Sequence, residues 1–212
     1  MRADPGSLKD VADDLFAPNV AAQVKAEIDR RSTSRLSRQP GMGPLSHKTL
    51  WLGDFEWDRT STGCFEGEYT LRAKPDREGW YDYLPDPDTP FQFVIDGLTV
   101  TPQAMDTDMG SIPKLFRQGR HLKPDTYLPA YLIHDWVFED HHRRGDATGI
   151  TFPQSAALLN SGIKTLMTVG GPYRIPDQEP SGGPVEKDED TMFLIYLAVQ
   201  TGIARSLWDY GR

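Results

Sequence analysis

Apolar residues recur along this chain in three rhythms, and each rhythm predicts a different kind of element. Near the start, Leu8, Val11, Leu15 and Phe16 follow helical spacing behind Ser7, which forms a variant capping box with Asp10, and Pro18 ends the run. Beyond Asn19, a candidate cap, Val20, Val24 and Ile28 repeat every fourth residue. That stripe is too narrow to make a core helix by itself, so the segment is expected to lean on something else. Arg30, Arg31, Arg35 and Arg38, mixed with Ser and Thr and closed by Pro40-Gly41, have linker composition. The boundary of an N-terminal arm is therefore placed near residues 32–47.

From Thr49 to Thr101 the rhythm shortens. Apolar runs such as Phe65 to Leu71 and Phe91 to Ile95 alternate with Gly, Pro and Asp, which predicts antiparallel strands. Asp96-Gly97, between Ile95 and Leu98, is the strongest hairpin signal, because an Asp-Gly pair accepts the positive φ values of a type I′ turn. Asp82, Asp86 and Asp88, in a loop cut by Pro85, Pro87 and Pro90, read as solvated carboxylates, and Cys64 as a small core residue.

After residue 113 the period becomes helical. Asp125 is a candidate cap for a helix carrying Leu128, Leu132, Ile133 and Val137 and ending near Gly145, with Pro129 tolerated in its first turn. Pro153 opens a second helix with Ala156, Leu159, Ile163 and Leu166, stopped by Gly170-Gly171-Pro172. A last, strongly apolar helix runs from about Thr191 to Ile203. These elements predict an α+β fold: an N-terminal helical arm and basic linker over residues 1–47, then one globular domain over 48–212. Within it, a small antiparallel sheet over 49–101 precedes three C-terminal helices in 126–212.

Composition narrows the function classes. A chain of 212 residues with 38% hydrophobic content buries one core. Its formal net charge of -8 is the opposite of what bulk phosphate neutralisation requires, which argues against a nucleic-acid partner. Cys64 is the single cysteine, so neither an internal disulfide nor a Cys-rich zinc cage can form. The start lacks the basic and apolar regions of a secretory signal, and no stretch approaches the roughly 18 apolar residues of a membrane span. Cytosolic synthesis without a membrane span is the expectation.

Candidate chemistry lies in two segments: Val100-Thr-Pro102 to Asp106-Thr-Asp-Met-Gly-Ser-Ile-Pro113, and Ala130-Tyr-Leu-Ile-His134-Asp135-Trp-Val-Phe138. With their Thr-Asp-x-x-Ser-Ile-Pro turn and following His-Asp helix, they resemble the phage- and prophage-associated family known only as domain of unknown function 1353, in that family's order. The resemblance covers roughly residues 90–205. It implies a phage or prophage origin and a sheet-plus-helices domain, with synthesis in the host cytoplasm and a place in the virion as one destination. The helix motif is also similar to the His-Asp-x-x-Tyr of secreted phospholipases A2, where the His activates a water and the Asp holds calcium. Phe138 stands in the tyrosine position, and Ser155 to Asn160 offers no carboxylate where the phospholipase pattern has one.

Adjacent helical residues diverge by about 100°, so His134 and Asp135 each need a different partner. Asp108 or Asp106 is the candidate orienting carboxylate for a His134 that acts as general base, since imidazole titrates near neutrality. Asp106, Asp108 and Asp135 would make an oxygen-rich site for a divalent cation such as calcium. A zinc site would need Asp108 to reach His134 and His141, or Asp135 and His142.

Plain structural readings stand beside these. Asp108 or Thr107 can cap its own turn, His134 can be a buried histidine tying turn to helix, and Asp135 can pair with Lys114, Arg117 or Arg120. His141 and His142 suit a solvated helix end, and Ser111 lacks the elbow of a hydrolase serine. Two functions follow: a small phage-encoded hydrolase of a cell-envelope component, with His134, Asp108 and Asp135 as its catalytic residues, or a non-enzymatic virion or tail-associated protein docking onto other phage proteins through its N-terminal arm.

Overall fold

The computed structural model describes residues 8–10, 12–13, 16–36, 57–108, 124–145, 149–171 and 183–211. In chain order the elements are α1 (Pro18–Leu36), β1 (Cys64–Glu66), β2 (Tyr69–Ala73), β3 (Tyr81–Pro85), β4 (Gln92–Ile95), β5 (Leu98–Val100), β6 (Met105–Thr107), a 3-10 turn (Pro124–Tyr127), α2 (Leu128–Arg144), α3 (Phe152–Thr168), α4 (Glu189–Ala198) and α5 (Gly202–Tyr210). The α+β class stands. The strands, however, divide into two three-stranded antiparallel sheets, ordered β1-β4-β5 and β2-β3-β6.

One glycine accounts for the division. The run Phe65 to Leu71 is interrupted at Gly67, whose φ of +78° turns the chain from β1 into β2. The return segment passes alongside: Glu68 N–H donates to Thr89 O at 2.7 Å, and Asp86 N–H to Glu68 O at 3.1 Å. A Cβ on Gly67 would lie 2.2 Å from Pro90 O, so only glycine permits this approach. Asp86 is not merely solvated, because its Oδ1 accepts from the N–H groups of Asp88 and Thr89.

Between β4 and β5 the hairpin has the anticipated geometry, with φ of 47° at Asp96 and 80° at Gly97 and Ile95 opposite Leu98. Alternation sets what faces inward. Phe65 is buried and flanked by exposed Cys64 and Glu66, so the cysteine expected inside lies on the outer face. Phe65 stacks on Phe93 with centroids 4.5 Å apart, and Tyr69 meets Phe91 edge-on at 4.9 Å, which couples the two sheets.

The helices cover these aromatics. α2 begins at Leu128 behind the 3-10 turn that contains Asp125, with no side-chain cap at its start. α3 opens as Pro153 predicts, and Gln154 Oε1 accepts from Thr151 N–H at 2.8 Å. α2 and α3 approach closely at small residues: a Cβ on Gly162 would stand 2.9 Å from that of Ala130. Residues 57–60 are tied to α3 by Lys164 Nζ, 2.7 Å from both Trp57 O and Thr60 O, and by Asn160 Nδ2, 2.8 Å from Thr60 Oγ1. The last apolar stretch is two helices rather than one. α4 stops at Ala198, and Thr201, in extended backbone, caps α5 by accepting from Ala204 N–H.

Residues 8–10, 12–13 and 18–36 are helical, but they do not stand away from the domain. Leu8, Ala12, Phe16, Val20, Val24 and Ile28 are all buried in the same core as the sheets. α1 packs on α4, Arg31 lies over the Tyr196 ring at 5.5 Å, and Gln23 Oε1 accepts from Gly202 N–H at 2.9 Å. The narrow stripe therefore leans on the chain's own C-terminal helices. Arg30 and Arg31 pair with Glu27, while Arg38 lies outside the described residues.

Candidate functional site

β6 is three residues long, and its alternation sorts the acidic turn. Met105 and Thr107 face the core while Asp106 faces out. On the inward side β6 packs against α2, and Thr107 Oγ1, fully buried, donates to Asp135 Oδ2 at 2.6 Å. Asp108 follows Thr107 and His134 precedes Asp135, so both flank this bond, each one residue, about 3.8 Å along the backbone, from a bonded partner. Asp108, His134 and Asp135 retain 8%, 7% and 2% of their exposure. The two motif segments meet, and they meet through Thr107, which the sequence offered only as a cap for its own turn.

The His134 ring contacts Phe138 one turn on, with centroids 4.7 Å apart. Phe138 in turn meets Trp208 edge-on at 5.0 Å and Phe152 at 6.4 Å. The position where a tyrosine hydroxyl would stand is thus an aromatic junction of α2, α3 and α5. Asn160 and Ser155 are occupied elsewhere, Asn160 with Thr60 and Ser155 with Phe152 O at 2.7 Å.

Asp106 does not join Asp108 and Asp135. It sits directly opposite Asp82 on β3, on the outer face, and Lys74 Nζ bridges the two at 2.9 Å and 3.0 Å. Two carboxylates opposed across a strand pair repel, and the lysine between them offsets this. Hydrogen bonds to Asp106 and then to Asp82 raise the Lys74 ammonium above its ordinary value of 10.5. A raised lysine stabilises the fold fully below that ordinary value and ceases to do so as pH climbs through the raised one. Lys74→Met is accordingly expected to lower the melting temperature at neutral pH. The gap from wild type should narrow in 1 M salt and close at strongly alkaline pH, as thermal unfolding would show.

The acidic trio proposed for calcium is divided by this alternation. Among the described residues, no group of three or more His, Cys, Asp or Glu side chains is placed to hold a metal. The histidines that a zinc site would borrow are engaged otherwise. His141 stacks on Trp208 with centroids 3.9 Å apart, and His142 Nε2 lies 3.0 Å and 3.1 Å from the carbonyls of Leu207 and Trp208. Both lie in the last turn of α2, where His142 is exposed as a solvated helix end requires, and His142 also meets the C-terminal carbonyls of α5, a contact no local pattern signals because the partners are 65 and 66 residues away. Ser111, Lys114, Arg117 and Arg120 lie outside the described residues.

No helix among the described residues is long and apolar enough to cross a membrane. No protein-family profile matches the chain, and neither the curated proteins nor the solved structures yield a match.

Proposed function

We propose that this chain is a small phage-related hydrolase in which His134 takes a proton from water, Asp108 orients the imidazole, and Asp135, held by Thr107, steadies the charge that develops. The reading rests on the Thr107–Asp135 hydrogen bond, because it brings the acidic turn and the His-Asp helix to one place. Burying a threonine, two aspartates and a histidine at a strand-helix junction is costly as a device for stability alone, and such clusters concentrate at sites of chemistry. In the reaction, water attacks an acyl or phosphoryl centre as its proton passes to His134, and the imidazolium returns that proton to the leaving group. The substrate class is a cell-envelope ester or amide. A divalent cation, calcium or zinc, would have Asp108 and Asp135 as its carboxylates, with Asp106 turned away.

A second reading has its own observation. The low exposure of Asp108, His134 and Asp135 suits a polar lock that fixes the second sheet to α2 in a virion or tail-associated protein. In that case docking onto other phage proteins uses a surface other than the apolar stripe of α1, which α4 covers.

The readings separate on one experiment. Wild type, His134→Ala and Asp108→Asn, each shown to be folded by circular dichroism, are assayed against phospholipids, peptidoglycan fragments and aryl esters, with and without added Ca²⁺ or Zn²⁺. The hydrolase reading expects turnover by wild type and a loss of about 100-fold or more in His134→Ala. Equal rates in all three, or no turnover by wild type, leave the structural reading.

A further inference from the structure

One face of α2 carries three rings in register. His134, Phe138 and His141 stand at i, i+4 and i+7, and residues so spaced project along one stripe of a helix. Trp208, from α5, lies against the latter two. Its indole meets Phe138 edge-on, with centroids 5.0 Å apart and planes at 87°, and stacks on His141 at 3.9 Å and 16°. Phe138 is then the ring between the indole and the imidazole of His134, whose centroid is 4.7 Å away at a tilt of 44°. Phe138 and Trp208 keep only 6% and 4% of their exposure, so the middle of this chain of rings is closed to solvent.

Trp208 is itself fixed from more than one side. Besides the His141 stack, its backbone carbonyl lies 3.1 Å from His142 Nε2. Phe152 adds a further ring, with its centroid 5.9 Å from the indole and 6.4 Å from Phe138. Rings so packed fix one another's orientation, because core packing is close and aromatic pairs hold preferred angles. The consequence passes to His134. The χ2 torsion of a histidine is broad, so the plane of its imidazole is set by what stands against it. A proton acceptor needs that plane held, since a misplacement of about 1 Å costs on the order of 100-fold in rate.

We propose that Trp208 is a positioning residue for His134: it acts through Phe138, so the orientation of the imidazole depends on the docking of α5. The catalytic consequence rests on the hydrolase reading, while the claim about orientation stands on the rings alone. A stripe of rings at helical spacing is ordinarily core, and a core role predicts that loss of the indole lowers stability without moving the imidazole. Two features point further. Both ends of this stripe are imidazoles rather than hydrocarbon, and the end at His134 adjoins Asp135, which Thr107 holds.

The test compares full-length wild type, Trp208→Leu and Trp208→Phe with Ile28→Ala, a core substitution on α1 that leaves all of these rings in place. Melting curves establish that each is folded, and Trp208→Phe, which keeps an aromatic ring, carries the comparison where the leucine variant does not fold. Nuclear Overhauser effects between the His134 and Phe138 rings, identified by their loss in His134→Ala, read the contact directly. They are expected to be strong in wild type and Ile28→Ala, weakest in Trp208→Leu and intermediate in Trp208→Phe. On whichever envelope-type ester or amide wild type hydrolyses, kcat should fall by about tenfold or more in Trp208→Leu with KM near that of wild type, and Trp208→Phe should recover part of the loss. Overhauser effects that stay unchanged in the folded Trp208 variants, or change no more than in Ile28→Ala, would overturn the proposal, as would an unchanged kcat. Should wild type hydrolyse none of the substrates, the hydrolase reading fails on its own, and the ring contacts still decide whether Trp208 orients His134.

Discussion

Gly67→Ala is expected to lower stability by about 3 kcal/mol, a fall of roughly 10 °C in melting temperature, the largest effect of any single methyl added to the strand region. Two penalties coincide there. At φ +78° an L side chain is strained, and the new Cβ would stand 2.2 Å from Pro90 O, 2.6 Å from Pro90 C and 2.7 Å from Thr89 O. All three are backbone atoms, so no flexible side chain can give way. Relief requires that the crossing from β1 to β2 separate from the crossing between β3 and β4, and this breaks the bonds between Glu68 and Thr89 and between Asp86 and Glu68. Gly97→Ala is the control. Its φ is +80°, yet nothing lies within 4 Å of the added methyl, so only the conformational cost of about 1 kcal/mol is expected. Chemical denaturation of both variants checks the contrast, and equal losses would show that the close approach at Pro90 contributes nothing.

Thr107→Val should cost about 2 kcal/mol although it barely changes shape. The hydroxyl it deletes donates to Asp135 Oδ2 at a place where neither side chain has appreciable contact with water, so the carboxylate loses a charge-assisted bond that solvent cannot replace. Thr107→Ser keeps the hydroxyl and should recover most of the loss. Urea unfolding of the three proteins gives the comparison, and a Val variant as stable as wild type would show that this bond does not hold β6 to α2. If Asp135 steadies the site, Thr107→Val should also depress turnover in the folded protein, with the Ser variant again restoring it.

Much of this architecture was legible from spacing alone. The Asp96-Gly97 hairpin, the strands on either side of it, the helix opened by Pro153 and the α+β order all follow from local signals, and each stands where local chemistry placed it. What escaped depends on contacts between distant segments. Gly67 reads as ordinary punctuation until Pro90 is known to pass beside it, so one sheet was expected where there are two. Val20, Val24 and Ile28 gave a stripe without a partner, because α4 lies more than 160 residues further on. Lys74 and His142 likewise carried no pattern, since their partners are fixed only by strand register and by the docking of α5. At the candidate site, His134, Asp135 and Asp108 were legible as polar residues in two short motifs. The alternation that turns Asp106 outward and leaves Thr107 to make the link was not, because it requires the phase of a three-residue strand.

The most direct test of the hydrolase proposal is the pH dependence of kcat/KM for whichever envelope-type substrate wild type turns over, set beside that of His134→Ala. The account predicts that the wild-type rate climbs with pH as its general base loses its proton and that the variant loses both the rate and the climb. A His134→Ala protein that keeps the wild-type profile would contradict it.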